Sequence, residues 1–178
     1  MKGVVFNIFN DMINDQFGME TWQTLIDRTE PASDAVYTSG DVYPDEELLA
    51  YVAELSSITG VEVPKLVYAF GQYMMKTFAR IHPEYLGSNP KAFLRSVHDV
   101  IHVEVKKLHP DAILPEFTYE DPAEDRLTMI YKSPRKLCYL AEGLIAGVAE
   151  QYDTPIAINH SQCMHDGAET CRLELRFG

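Results

Sequence analysis

The sequence predicts an α+β fold, with a mostly helical N-terminal part followed by an antiparallel sheet that carries one inserted helix. Two observations lead to this prediction. Apolar residues recur at helical spacing over most of the chain before Pro110. After Pro110, short segments alternate apolar and polar residues, and one stretch returns to helical spacing. A length of 178 residues suits a single domain, and we expect a helical subdomain over residues 1–62 and a second subdomain over residues 63–178.

Four helices are expected before Pro110, each bounded by helix-starting or helix-stopping residues. Their predicted spans are the stretch after the MKG opening, Pro44 to Gly60, Val63 to Pro83, and Pro90 to His109. Proline at Pro44 fits a first helical turn, and the acidic residues that follow favour the positive end of the helix dipole. Gly60 is a typical left-handed cap, and the later prolines cannot continue a helix.

Four strands and one helix are expected after Pro110. The predicted strands are Phe117–Glu120, Arg126–Tyr131, Ile156–His160 and Arg172–Phe177. The last segment alternates apolar and charged residues, as a half-buried antiparallel strand does. Leu137–Val148 has helical spacing and is the inserted helix.

The excess of acidic residues limits the classes of partner that the chain is expected to bind. The formal net charge of −12 disfavours nucleic acid and anionic membranes, because both bind basic surfaces, but it suits a basic protein partner. No apolar run reaches the roughly 18 residues of a membrane span. Asn10 and Asp11 interrupt the opening too early for a secretory signal. Three cysteines are too few for a disulfide framework, so we expect a cytoplasmic protein.

Histidines cluster on the fourth predicted helix, which holds His98, His102 and His109. His98 and His102 are four residues apart, so they share a helix face beside the apolar stripe. A neutral imidazole in such a position can bind a metal ion or haem iron. The alternative is that these histidines only line or cap the core, and their spacing leaves both interpretations open.

The segment Tyr131-Lys132-Ser133-Pro134-Arg135 lies where a predicted strand turns into a predicted helix. The hydroxyls of Tyr131 and Ser133 and the guanidinium of Arg135 are three hydrogen-bond donors that can hold an acidic group of a ligand. Alone, the pattern also fits an ordinary turn, with Ser133 as a cap and Pro134 as a first helical residue.

Taken together, these motifs resemble the H-NOX family, the haem–nitric oxide/oxygen binding domains that also form the haem domain of soluble guanylate cyclase. The resemblance covers nearly the whole chain and is closest to the stand-alone bacterial type. It rests on the MKG opening, the GQYMMKTF run, the histidine helix ending in HP, and the segments DAILPEF, YKSPRK and LCYLAEGLIAGV. Tyr-x-Ser-x-Arg is the diagnostic motif of the family.

The resemblance implies a haem b group buried between the helical part and the sheet. His102, eight residues before Pro110, matches the iron ligand. The Tyr131, Ser133 and Arg135 side chains match the clamp on the haem propionates, and Pro115 matches the proline that distorts the haem. The residues that match the pocket lining are Val5, Phe9, Met74 and Leu144.

The gas that the resemblance implies depends on one position of the helix after the motif. In the oxygen-binding members of the family this position holds a tyrosine, whereas the matching residue of this chain is Leu140. Tyr139 is adjacent, but one residue turns a helix by about 100°, which points its side chain away. An apolar pocket, to which Met74 contributes, offers oxygen no hydrogen bond. The expected ligands are therefore nitric oxide and carbon monoxide, with poor binding of oxygen.

The function implied is that of a sensor and not of an enzyme. Nitric oxide would weaken or break the iron–His102 bond and relax the haem distortion, which changes the surface offered to a partner. Because the sequence ends at Gly178 with no attached kinase or cyclase domain, we expect it to act in trans on a histidine kinase or a cyclic-di-GMP enzyme. One alternative is a non-haem metal-dependent enzyme that uses His98, His102 and Glu104, and another is a metal-free binding module that uses Arg135.

A second metal site is suggested by the three cysteines. Cys138, Cys163 and Cys171 with His160 form the donor set of a tetrahedral Cys₃His zinc site, and some bacterial members of the family resemble this pattern. His165 is the substitute ligand if His160 points away. The alternatives are three small buried cysteines, or a disulfide between Cys163 and Cys171.

Overall fold

The computed structural model describes residues 1–178 and confirms the α+β prediction. The helices are α1 (Gly3–Phe17), α2 (Met19–Thr29), α3 (Asp45–Thr59), α4 (Val63–Ile81), α5 (Pro90–Ser96), α6 (His102–Leu108) and α7 (Cys138–Gln151). The strands are β1 (Glu116–Ala123), β2 (Arg126–Lys132), β3 (Ile156–Gln162) and β4 (Cys171–Phe177). Short 3₁₀ turns occur at Pro83–Tyr85 and Met164–Asp166. None of the helices has the length and apolar character needed to cross a membrane.

The N-terminal helices begin and end near the residues that the sequence predicts. Three acidic residues occupy the first turn of α3, and Gly60 ends it in the left-handed conformation with φ 72°. The α4 helix stops at Ile81, two residues before Pro83. The α2 helix had no predicted limits, and it begins directly after Gly18, whose positive φ turns the chain between α1 and α2.

The helix predicted from Pro90 to His109 is interrupted, and the expectation of one continuous α-helix was wrong. A π-helical turn over Val97–Ile101 separates α5 from α6. At its end the backbone N–H of His102 donates to the carbonyl of Val97, five residues earlier. A π turn holds one extra residue, so His98 and His102 do not stack as an ordinary i, i+4 pair. Their ring centroids are 6.3 Å apart.

The sheet is antiparallel throughout, in the order β1-β2-β4-β3. In this register Tyr131 of β2 lies opposite Phe117 of β1 on one side and Cys171 of β4 on the other. One face of the sheet packs under α5 and α7, which gives its strands their alternation of buried and exposed residues. The sheet therefore brings the Tyr131 motif beside the cysteine region.

Two hydrophobic cores form the interior. The first joins α1, α2, α3 and the first half of α4, and the second joins the rest of α4, α5, α7 and the sheet. The α4 helix serves both cores, with Phe70 in the first and Met75 in the second. The boundary predicted at residues 62 and 63 falls at the start of this shared helix, and the division into two subdomains stays a prediction.

Helices α4 and α7 touch through glycines. A Cβ atom on Gly143 would overlap the backbone carbonyl of Tyr68, and one on Gly71 would overlap the carbonyl oxygen of Leu140. Neither obstacle is a flexible side chain, so the helix backbones would have to separate. The missing side chains therefore fix how closely the two helices pack.

The first prediction concerns this helix contact. Gly143→Ala should lower the free energy of unfolding by about 2–3 kcal/mol, because the added methyl group overpacks a rigid backbone contact. Urea denaturation measures the change. Gly40→Ala is the matched control, since its Cβ would meet only the His109 ring at 3.8 Å. Equal stability of the two variants would contradict the prediction.

Candidate functional site

An apolar cavity of about 310 Å³ lies between the two cores. This volume is within the range of roughly 300–1,000 Å³ that is usual for small-molecule and cofactor pockets. Of its 23 lining residues, 19 are hydrophobic. Its polar groups are the side chains of His102, Ser133 and Arg135 and the hydroxyl-bearing ring of Tyr131. Such a cavity suits a mostly apolar ligand with a few polar anchors.

The structure brings most of the predicted apolar site residues to this cavity. Val5, Met74, Leu144 and Pro115 all line it. Phe9 is not among its lining residues, and its place in the pocket lining stays a prediction. The Phe9 side chain lies one turn further along α1 than Val5 and is fully buried in the first core, where its ring packs against Phe70, Tyr51 and Trp22.

His102 presents an imidazole to the cavity at the first residue of α6. Burial, assisted by the nearby His98, lowers the pKa of His102 from 6.5 to about 4. The ring is therefore neutral at pH 7, and a neutral imidazole nitrogen is a good iron ligand. The Nδ1 atom is buried without a hydrogen-bond partner. These observations fit a haem iron bound by His102.

The Tyr131-x-Ser133-x-Arg135 motif closes one end of the cavity. Ser133 and Tyr131 are almost fully buried, and the Tyr131 hydroxyl accepts the backbone N–H of Leu137 at 3.0 Å. The Arg135 guanidinium donates to both carboxylate oxygens of Asp45, at 2.5 and 3.0 Å. Asp45 is the first residue of α3, so the Arg135–Asp45 pair joins the two halves of the molecule beside the cavity. This pair had no signal in the sequence, since the partners are 90 residues apart.

The opposite wall of the cavity is apolar. Residues from α4 and α7 form it, and each of them has a hydrocarbon or thioether side chain: Met74, Met75, Phe78, Leu140, Ala141, Leu144, Ile145 and Val148. Leu140 faces the cavity, whereas Tyr139 turns away and stacks on His165 with ring centroids 5.5 Å apart. The register expected from the helix rotation is thus the one observed.

His98 faces a second space, which His102 also borders. It lines an open groove of about 620 Å³ outside α6, together with Lys106 and Lys107, and does not line the apolar cavity. Its Nδ1 accepts the backbone N–H of Phe117 at 3.4 Å. His98, His102 and Glu104 do not converge as ligands, because the one convergent group of histidine, cysteine and acidic side chains lies elsewhere. This geometry argues against the non-haem metal enzyme.

That convergent group is formed by Cys138, His160, Cys163 and Cys171, whose ligand atoms all lie within 4.8 Å of one another. His160 Nδ1 pairs with the Glu142 carboxylate at 2.5 Å, and its Nε2 is buried without a partner. Burial and the neighbouring thiols raise the pKa of Cys138, and burial raises the pKa of Cys171. A divalent cation among these groups would satisfy the free nitrogen and stabilise the thiolates.

Neither the substitute ligand nor the disulfide predicted at the cysteines is present in the structure. His165, the predicted substitute ligand, is not part of the cluster. Its Nε2 donates a hydrogen bond to the carbonyl of Lys136 at 2.8 Å. All three cysteines are free thiols, so the disulfide between Cys163 and Cys171 is not formed. Their sulfurs instead accept backbone N–H bonds from His165 and Met164.

Comparisons with known proteins point in one direction. The model of the Haem-NO-binding family matches residues 2–160. An H-NOX protein from S. oneidensis in the Fe(II)NO ligation state is 34% identical, with a TM-score of 0.94 over 100% of this chain and 99% of that chain. The Fe(II) unliganded H-NOX protein from K. algicida is 32% identical, with a TM-score of 0.92 over 100% of this chain and 97% of that chain.

A curated relative comes from an animal. Soluble guanylate cyclase 89Db of Drosophila melanogaster is 24% identical over 139 residues, which are 76% of this chain and 20% of that protein. The chain thus spans a fifth of the length of this relative. Because the family model matches most of the chain and H-NOX structures superpose on all of it, the chain belongs to the Haem-NO-binding (H-NOX) family, whose fold is that of a haem-based gas sensor.

Proposed function

We propose that the protein is a nitric oxide sensor that holds haem b through His102. The observation that carries this proposal is the contrast between the two sides of one cavity. A neutral, partly buried imidazole lies on one side, and a wall without any hydrogen-bond donor among its side chains lies on the other. This arrangement suits iron with one protein ligand and an open site for a small apolar gas.

The residues around the cavity have separate roles in this proposal. His102 supplies the nitrogen ligand, and Arg135, Ser133 and Tyr131 are placed to receive the haem propionates at the polar end. Pro115 lies against the cavity beside His102 and would press on the haem plane. When bound, ferrous haem supplies the iron atom that takes up a diatomic gas.

The choice of gas follows from the apolar wall. Bound oxygen carries partial negative charge and needs a hydrogen-bond donor, which the α4 and α7 side chains lack. Nitric oxide and carbon monoxide do not depend on such a donor, so both should bind and oxygen should bind poorly. H-NOX structures from S. oneidensis in the Fe(II)NO and Fe(II)CO states support this direction.

Signalling requires two states that the ligand stabilises differently. If the iron–His102 bond weakened, α6, which has no fully buried residue of its own, would be freer to move, and the pressure from Pro115 would relax. The Arg135–Asp45 pair would carry the change to the helical N-terminal part. A histidine kinase or a cyclic-di-GMP enzyme is the predicted partner in trans, and the acidic chain calls for a basic docking face on it. The chain itself has a regulatory role and no catalytic one.

We further propose that Cys138, His160, Cys163 and Cys171 bind one zinc ion. The four donors already converge, and the Glu142 carboxylate holds the His160 ring so that Nε2 faces the thiols. A carboxylate behind a histidine ligand is a common arrangement at zinc sites. The zinc would tie α7 to strands β3 and β4, directly behind the cavity wall.

The second prediction tests iron ligation. His102→Gly should remove the protein ligand from the iron, and imidazole added to the solution should occupy the space and restore an iron–imidazole bond. Resonance Raman spectra of the ferrous protein report this bond, and the Soret band reports haem. His109→Gly, at the end of the same helix, is the control and should keep the native spectrum. A His102→Gly variant with an unchanged iron–histidine signal would refute the assignment.

The third prediction tests gas selectivity. Leu140→Tyr should raise oxygen affinity by about tenfold to a hundredfold, because a hydrogen bond to a charged acceptor contributes about 1.5–3 kcal/mol. Leu140→Phe adds the same ring without a hydroxyl and is the matched control. Oxygen titration of the ferrous protein measures both variants. A stable oxygen complex in the unmodified protein would overturn the selectivity while leaving the haem site intact.

The fourth prediction tests the zinc site. The purified protein should contain one zinc per chain, and Cys171→Ser or His160→Ala should lose most of it, since each removes a ligand. Elemental analysis by mass spectrometry gives the stoichiometry. His165→Ala is the control and should keep its zinc. Recovery of a folded, metal-free wild-type protein under mild conditions would count against the site.

A further inference from the structure

A row of contacts joins strand β1 to the helix that leads into His102. Alternate residues of β1 point towards this helix: Phe117, Tyr119 and Asp121. Asp121 pairs with Lys91 at 2.5 Å and also with Arg95. The Tyr119 hydroxyl donates to the carbonyl of Leu94 at 3.0 Å. We call the two inner contacts, Tyr119–Leu94 and Phe117–His98, the β1 latch.

The β1 latch lies at the point where the helix departs from α geometry. Leu94 is near the end of α5, and His98 lies within the π turn Val97–Ile101. Side chains that bond to a helix carbonyl are a recognised cause of local helix distortion. The latch therefore provides contacts that hold an extra residue in this turn, on a helix whose continuous apolar pattern predicts an ordinary α-helix.

The π turn decides where the His102 side chain points. One residue corresponds to about 100° of rotation in an α-helix, so an extra residue turns α6 relative to α5. Return of this turn to α geometry would rotate the His102 imidazole away from its present direction, which is into the cavity. The direction of the iron ligand therefore depends on whether the π turn is kept.

We infer that Tyr119 and His98 are positioning residues for His102. By holding the π turn through the β1 latch, they aim the imidazole into the cavity and limit how far it moves when its bond to iron weakens. Neither side chain lines the cavity, so each would act on the haem only through His102. This inference rests on the proposed function, since it assigns the latch to the iron ligand.

The test compares two tyrosine variants. Tyr119→Phe removes the latch hydroxyl and keeps the ring, whereas Tyr73→Phe removes a hydroxyl bonded to Asp15 at 2.6 Å on a distant part of α4. Hydrogen exchange of the His102 backbone amide, measured by NMR on the carbon monoxide complex, should accelerate by about five- to tenfold in Tyr119→Phe only. The iron–His102 stretching frequency in the ferrous protein should shift in the same variant.

His98 gives an independent pair of variants. His98→Leu removes the acceptor for the Phe117 N–H, whereas His98→Asn keeps an acceptor oxygen near the position of Nδ1. Phe117 amide exchange should accelerate in His98→Leu and return towards the wild-type rate in His98→Asn. This pair decides the inference if Tyr119→Phe does not fold.

Two outcomes would overturn the latch. One is amide exchange and a stretching frequency in Tyr119→Phe equal to those in Tyr73→Phe, and the other is identical Phe117 exchange in both His98 variants. Failure of the proposed function is a distinct result. A wild-type protein that takes up no haem would refute that function, while exchange measured on the protein as purified would still decide whether the latch holds the π turn.

Discussion

The position of one partly buried imidazole, at the cavity between two hydrophobic cores, is the constraint on which the rest of the structure depends. An apolar environment disfavours a charged ring, so His102 stays neutral with a free nitrogen. The ring lines the cavity, and its Nδ1 atom is buried without a hydrogen-bond partner, which is costly for a polar group. A neutral imidazole at the cavity can also offer a nitrogen to a metal centre. The apolar wall, the polar end and the contacts behind the helix all act on how that ligand is held.

Local patterns in the sequence were enough to predict the fold and much of the candidate site. Helix limits followed from Pro44, Gly60 and Pro83, because proline and glycine act on their own backbone. The orientation of Leu140 followed from the rotation of a helix, and the structure agrees that Tyr139 turns away. The roles given to His102 and to the Tyr131 motif came from a family resemblance, because spacing alone had left both interpretations open.

Other features depend on residues that are distant in the sequence, and these had no local signal. The β1 latch distorts a helix whose apolar pattern is continuous, so the π turn was missed. Phe9 has the right character for a pocket residue, but its aromatic neighbours from three other helices place it in the first core. A buried network in which Ser33 and Tyr37 donate to the Glu47 carboxylate was equally invisible, because it forms only when α3 meets the loop before it.

The cavity is held from two sides by contacts of different kinds. On one side, the glycines of α4 and α7 allow the two helix backbones to pack in direct contact, and α4 contributes to both cores. On the other, α6 has no fully buried residue, and its direction is set through the β1 latch. If the bond between His102 and iron weakened, α6 would therefore be the element freest to move. The Arg135 side chain also donates to the carbonyl of Ile113, in the segment that follows α6. Because Arg135 also pairs with Asp45 at the start of α3, movement of α6 would shift α3 through this side chain.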